Sequence, residues 1–310
     1  MAAIVTVTLN PCIDKSTVTP LLVPEKKLRC AKPKYEPGGG GLNVARAIKK
    51  LGGEALAIYP VGGHTGHYLK QLVAQDGIDS LVVPIRNNTR ENMIVVDSST
   101  NQQYRFGMPG PELEEREWQE CISLIEQQSD VEFIIVSGSL PPGVPLTIFS
   151  HFSALADKIG AKLIVDTSGK ALMQAAKEGV YLLKPNLAEL SALAGKEEIN
   201  AEQVDDLALE IINSGRCEVV IVSLGAAGAM LVTKNEVVQV VPPVVRQRST
   251  VGAGDSMVAG VVLSLSRGKS LKEALQYGVA CGTAATMNPG TELCRIQDVE
   301  KLLAIIKRQH

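Results

Sequence analysis

The sharpest chemical signal in the chain is Thr250-Val-Gly-Ala-Gly-Asp-Ser-Met257, followed by an apolar, small-residue-rich stretch from Val258 to Leu265 that predicts a helix. Glycines ahead of a helix leave backbone N–H groups bare, and the helix dipole adds partial positive charge there. Gly252, Ala253 and Gly254 therefore form a ready anion site. Asp255 has two roles open to it. It stands where an aspartate caps a helix, a role that does not require glycine at 252 and 254. Alternatively its carboxylate takes the proton of an attacking hydroxyl while the neighbouring amides hold the charge developing on a transferred phosphoryl group.

Three further clusters bear on the same chemistry. Pro37-Gly-Gly-Gly-Gly-Leu-Asn-Val-Ala-Arg46 runs from loop into helix. Its glycines let a ligand approach the backbone, and Asn43 in the first turn can aim a donor and an acceptor at a polyol. Lys184-Pro-Asn-x-x-Glu189 opens another helix, where Pro185 and Asn186 suit a helix start and a carboxylate at 189 can orient Mg2+ through water. Ser223-Leu-Gly-x-x-Gly228 joins two strands and reads equally as a hairpin or as backbone bordering a nucleotide. No Gly-x-x-x-x-Gly-Lys-Ser/Thr occurs, so a bound nucleoside triphosphate is not held by a P-loop.

The elements that must position these residues alternate short β-branched runs with helical patterns, which predicts a doubly wound α/β fold with a mainly parallel sheet flanked by helices. Expected central strands are 4–9, 55–59, 133–137, 162–166, 181–183 and 219–223. Helices are expected over 42–51, 66–75, 114–127, 145–158, 188–194 and 201–214, and three more after Gly254, Ser270 and Ile296. The stretch Met230 to Val241 reads as a hairpin turning at Lys234 and Asn235, an antiparallel edge. Two segments break the rhythm, 15–35 and 90–108. In the second, Tyr104, Phe106 and Met108 alternate with Gln103, Arg105 and Gly107, the period of a half-exposed strand. Together they predict a small β-sheet lid on a single 1–310 domain. The lid's apolar face needs a cover, and a second copy of the lid supplies one, so a homodimer is expected.

A formal charge of -2 argues against nucleic-acid binding, which needs a dominant basic surface. Six scattered cysteines without metal-ligand spacing read as free thiols of a reducing compartment. With no charged leader and no apolar run of roughly 18 residues, the expectation is a cytoplasmic protein without a membrane partner.

Taken in order, Thr8-Leu-Asn-Pro-x-x-Asp14, Gly38-Gly-Gly-Gly-x-Asn43, Lys184-Pro-Asn-x-x-Glu189 and Gly252-Ala-Gly-Asp255 resemble the ribokinase-like carbohydrate kinase family of the PfkB type, across essentially the whole chain. Lys27-Leu-Arg-Cys30, Gln103-Tyr-Arg-Phe106, Ser137-Gly-Ser-Leu-Pro-Pro-Gly143 and Asn288-Pro-Gly-Thr291 resemble its phosphosugar branch. The resemblance implies ATP-dependent phosphorylation of a sugar phosphate. Gly40, where relatives acting on tagatose 6-phosphate or fructose 1-phosphate typically have Lys, favours fructose 6-phosphate, while Asn10-Pro11 looks more like those relatives. A sugar-phosphate sensor without turnover is the alternative from another class.

Carried over by position, the resemblance implies that Asp14, Gly39 and Asn43 bind sugar hydroxyls, and that Lys27, Arg90 and Ser139 surround the phosphate. For Arg29 and Arg105 a solvated surface charge is the preferred reading. ATP would meet Lys184, Asn186, Ser223, Gly225, Gly228, Val279 and Thr283, with Glu189 near Mg2+. A K+ site would use oxygens of Ser249, Val251, Ala285, Asn288, Gly290 and Glu292.

Overall fold

The computed structural model describes residues 3–215 and 217–309. The chain begins with β1 (Ile4–Val7), β2 (Cys12–Thr19), β3 (Lys34–Gly38), α1 (Gly40–Lys50), β4 (Leu56–Val61), α2 (Gly63–Gln75) and β5 (Asp79–Pro84). It continues through β6 (Arg90–Asp97), β7 (Gln102–Phe106), α3 (Glu115–Glu126), β8 (Phe133–Ser137), α4 (Ile148–Ile159), β9 (Lys162–Asp166), α5 (Gly169–Ala175) and β10 (Val180–Leu183). The last third holds α6 (Leu187–Leu193), α7 (Val204–Asn213), β11 (Cys217–Ser223), β12 (Ala229–Val232), β13 (Val237–Val240), α8 (Ala253–Ser266), α9 (Leu271–Thr286) and α10 (Ile296–Gln309).

Among the described residues nine strands form one sheet in the order β13-β12-β11-β10-β9-β8-β1-β4-β5. The sheet is parallel from β5 to β11, and β12 and β13 run antiparallel to their neighbours at one edge. β1 and β8 are buried along their whole length, as expected of strands covered on both faces. Their side chains alternate between two cores. Ile4 and Phe133 pack with Leu42, Val258 and Leu275 on one side. Val5, Ile134 and Val7 pack with Trp118, Phe149 and Leu207 on the other.

The connection order sets the site. From β1 the chain builds outward through β4 and β5, then returns to pair β8 on the other side of β1. Neighbouring connections therefore diverge between β1 and β8, and ligands of open α/β sheets bind in such a crevice at the carboxyl ends of the strands.

A second sheet, in the order β3-β2-β6-β7, stands apart from the first. The segment 15–35 resolves into β2 and β3 joined by an exposed connection, and 90–108 into the β6–β7 hairpin. The apolar side chains of its outer strand and of the residues just after it are uncovered, with Tyr104 38% exposed and Phe106 and Met108 46% each. Two elements were not anticipated from the sequence. β5 is an edge strand opening on a charged residue, and α5 has only seven residues, too few to display a helical period.

Candidate active site

The first wall of the crevice is the glycine turn between β3 and α1. Gly39, at φ 110°, is in a region side chains rarely enter, and a Cβ there would stand 2.5 Å from Thr8 Cγ2. A Cβ at Gly40 would collide with Ser137 Oγ and stand 2.7 Å from the Gly138 amide. The glycine run thus lies directly on the loop that leaves β8, which brings Ser139 beside it. Asn10 Nδ2 donates to Ser139 Oγ at 2.9 Å, fixing that hydroxyl. From the lid, Asp14 is buried and accepts through Oδ1 from Asn92 Nδ2 at 3.0 Å. Arg90 donates through Nη2 to the Asn10 carbonyl at 2.9 Å and through Nη1 to the Met108 carbonyl at 3.0 Å. Its Nε, buried, has no hydrogen-bond partner. A guanidinium held by backbone with a donor in reserve is suited to an oxyanion.

The opposite wall is the start of α8. Gly252 is the helix N-cap, in the left-handed conformation at φ 73°, and Asp255 lies in the first turn. The capping reading of Asp255 is therefore corrected: the helix starts too early for its carboxylate to occupy that position, and no side-chain cap bond forms. Instead Asp255 Oδ2 accepts from Asn43 Nδ2 at 3.0 Å, across the crevice from α1. Burial is the main influence on its carboxyl and pushes it up. The Asp166 carboxylate adds to this, the Asn43 bond and Lys184 pull it down, Asp14 raises it slightly, and the balance stands at about 7. A carboxylate poised there is a competent general base near neutral pH.

Lys184 completes the centre. Its Nζ lies 3.2 Å from Asp166 Oδ1, in an ion pair of which Lys184 is only 9% exposed. Burial opposes its charge, but Asp166, Asp255 and Glu189 prevail and hold its pKa above the ordinary value. A Cβ placed on Gly254 would stand 3.4 Å from this ammonium, so the lysine head lies against the bare amides of the α8 N-terminus. Amides and ammonium together make an anion cradle beside Asp255.

Behind the cradle opens a cavity of about 330 Å³. Ser223, Gly225 and Gly228 line it from the β11–β12 connection, Val279 and Thr283 from α9, and Ala253 and Gly254 at the cradle itself. The remaining wall, Pro242 to Val245 with Gln247, was not foreseen, because an extended run without period carries no sequence signal. Asn186 lies beside Ser223 through a backbone bridge. It and Glu189 form a reciprocal capping box at the start of α6, each side chain accepting from the other's backbone N–H at 2.8 Å.

The two segments expected to hold K+ are adjacent. Ser249 Oγ donates to the Gly290 carbonyl at 2.7 Å, and the Ser249 amide donates to the Thr286 carbonyl. Asn288 turns its amide inward to the Leu293 carbonyl at 3.0 Å, and Glu292 pairs with Arg295 at 2.8 Å. What these loops can offer an ion is therefore chiefly neutral oxygen, a donor set suited to a weakly demanding monovalent cation. Among the described residues no group of three or more His, Cys, Asp or Glu side chains could hold a metal by itself.

The crevice thus gathers Asp14, Gly39, Asn43, Arg90, Ser139, Lys184 and the 252–255 turn. Lys27 and Arg29 stand exposed on the β2–β3 connection, and Arg105 is exposed on β7. Asp166, Asn92 and Asn10 were missed. Asp166 ends an apolar run, which reads only as a strand terminus until β9 and β10 are seen side by side.

A carboxylate base, an anion cradle with a buried lysine, a nucleotide-sized cavity and a polar crevice under a β lid define a phosphoryl-transfer site of the carbohydrate kinase kind. The chain belongs to the pfkB family of carbohydrate kinases, which it matches over residues 7–298. It is similar to the ATP-dependent 6-phosphofructokinase isozyme 2 of Escherichia coli, 46% identical over 309 residues covering 99% of this chain and 100% of that one. Crystal structures of phosphofructokinase-2 from Escherichia coli superpose on it closely. The complex with fructose-6-phosphate gives a TM-score of 0.93 at 44% identity, and the complex with potassium 0.95 at 46%, each covering 99% of this chain and 100% of the other. A 1-phosphofructokinase of Borreliella burgdorferi is more distant, 29% identical over 98% of this chain and 97% of its own length. Among the described residues no helix is long and apolar enough to cross a membrane.

Proposed function

We propose that this kinase transfers the γ-phosphoryl group of ATP to a hydroxyl of fructose 6-phosphate, giving fructose 1,6-bisphosphate and ADP. The observation that carries the reaction type is the convergence of Asp255, Lys184 and the bare α8 amides between the cavity and the Asp14–Asn43 crevice. The choice of sugar phosphate rests on greater similarity to the 6-phosphofructokinase, at 46% identity, than to the 1-phosphofructokinase, at 29%. Gly40 supports it, since relatives acting on tagatose 6-phosphate or fructose 1-phosphate typically have Lys at this position.

In the mechanism, Asp14, Gly39 and Asn43 hold the sugar hydroxyls, and Arg90 with Ser139 holds its phosphate. Asp255 accepts the proton as the hydroxyl oxygen attacks the γ-phosphorus and the bond to the β–γ bridging oxygen breaks. The amides of Gly252 to Gly254 and the Lys184 ammonium meet the charge on the transferring group. Glu189 would help to hold Mg2+, which would supply further charge neutralisation. K+ would be held by the 249–251 and 285–292 loops, which flank the entry to α8. The lid excludes water that would otherwise take the phosphoryl group. Its exposed Tyr104, Phe106 and Met108 are the surface through which two lids pair in a homodimer.

Steady-state turnover with Mg2+ and K+ tests this, comparing kcat/KM for fructose 6-phosphate, tagatose 6-phosphate, fructose 1-phosphate and fructose. A preference of at least tenfold for fructose 6-phosphate is expected. Preference for another phosphosugar overturns the substrate, and binding without turnover overturns the enzyme. Omitting K+ or replacing it with Na+ should lower turnover.

A further inference from the structure

Outside the groups already given a role, the most densely bonded charged cluster lies beneath Asn43. Arg46, one turn further along α1, is 5% exposed. Its Nε donates to Asp76 Oδ2 at 2.6 Å and its Nη2 to Glu36 Oε1 at 3.3 Å. Its Nη1 donates to the Pro37 carbonyl at 3.0 Å and to Asn43 Oδ1 at 3.3 Å. Glu36, 7% exposed, lies on the lid strand β3, also pairs with Lys34 at 3.1 Å, and accepts through Oε2 from the Thr291 hydroxyl. Burial alone would raise the Glu36 carboxyl, but Thr291, Lys34 and Arg46 together hold it below its ordinary value.

Two buried charges are costly to keep unless their geometry does something an apolar pair cannot. Here the geometry constrains an amide. An asparagine side chain presents an acceptor on one side and two donors on the other, and its two orientations are nearly equal in shape. A guanidinium can only donate. With Arg46 on Oδ1, the orientation of Asn43 is fixed and only Nδ2 can face Asp255. One Asp255 oxygen then receives an N–H, and the other is left to take the substrate proton. The flipped amide would set Oδ1 against Asp255, an arrangement that favours the protonated acid and disables the base.

We propose that Arg46, clamped by Glu36 and Asp76, is a positioning residue for the general base, holding the Asn43 amide so that Nδ2 faces Asp255. The Thr291 hydroxyl anchors the Glu36 end of the clamp, tying the orientation of the base to the loop around Gly290 and to the lid strand. This rests on the kinase reading above and adds residues that do not themselves touch the reacting atoms.

The test is the pH profile of kcat in Arg46→Lys, which keeps the charge but has no fork to span Glu36, Asp76 and Asn43. The groups facing Asp255 are Asn43 from α1, Asp166 from β9, Lys184 from the end of β10 and Asp14 from β2, and all are unchanged in this variant. Losing the donated bond should move the acid limb of the profile up by about one pH unit and lower kcat at pH 7 about fivefold, approaching tenfold at pH 6. The KM for ATP should stay within about twofold. Thr291→Val removes one hydroxyl and no charge, and should move the limb the same way by a few tenths of a unit. In an Asn43→Ser background Arg46→Lys should add nothing further. A uniform loss of kcat with the limb unmoved overturns the proposal. If Arg46→Lys does not fold, Thr291→Val decides alone, and an unmoved limb there overturns it. A wild-type protein without turnover would sink the kinase reading and this with it, whereas normal wild-type turnover with unmoved limbs sinks this alone.

Discussion

Replacing Asp255 with Asn should make the protein inactive and more stable at once. In the folded chain the carboxyl keeps its proton up to about pH 7, whereas in the unfolded chain it would lose it near 3.8. Between those values the folded state binds more protons, so stability conferred by this group is full below pH 3.8, declines as pH rises, and is gone above about 7. That interval is worth ~4 kcal/mol at 1.36 kcal/mol per pH unit, and water at the crevice mouth reduces the expected figure to about 2 kcal/mol. The substituted amide bears no charge at any pH. The Asp255→Asn variant should therefore match the wild type near pH 4 and exceed it at pH 8, raising Tm by about 4 °C for a chain of this size. Turnover should fall about 10²- to 10⁴-fold, the usual contribution of a general base. Differential scanning calorimetry of the unliganded protein at pH 4.5 and 8, with single-turnover kinetics, reads both. A Tm gain equal at the two pH values, or more than about a tenth of wild-type turnover, refutes the reasoning. The wild-type kcat should itself rise with pH through about 7, because only the ionised carboxylate accepts a proton.

Lys184→Met leaves Asp166 without its partner. The expected result is destabilisation by about 3 kcal/mol in urea unfolding, with the acid limb of the kcat profile displaced upward because a positive charge has left the neighbourhood of Asp255. Gly40→Lys should cost more than about 2 kcal/mol, since the backbone of the β8 loop blocks its Cβ; a fully stable variant would show that the two loops part readily. Phe106→Asp should shift sedimentation from dimer to monomer at micromolar concentration and weaken sugar-phosphate binding. An unchanged dimer would place the interface elsewhere.

Much of the fold was legible because its parallel strands are short buried runs such as Phe133–Ser137 and Lys162–Asp166, which appear where the apolar pattern puts them. The turn at Lys234 and Asn235 was equally plain, and Thr233 N donates to the Glu236 carbonyl across it. Asn43 and Asp255 were each marked by the glycines beside them, although nothing along the chain says that residues 212 apart share a hydrogen bond. The competing roles of Asp255 turned on whether α8 starts at 253 or a few residues later, a difference no larger than the uncertainty of a helix boundary read from a pattern.

What the sequence by itself determined is the local chemistry: bare amides before a helix at 252–254, a carboxylate next to them, a second glycine turn beside an amide, and strands apolar enough to be buried on both faces. These follow from short-range sterics and periodicity, which involve only neighbours along the chain. Only the tertiary structure decided which charges are buried together. Asp166 and Lys184 meet because β9 and β10 are adjacent parallel strands with their carboxyl ends at one level. Arg46 is buried because Glu36, Asp76 and Thr291 arrive from three separate segments to receive or anchor it. Electrostatic influence depends on distance and on exclusion of water, and both are fixed only when distant segments close over one another.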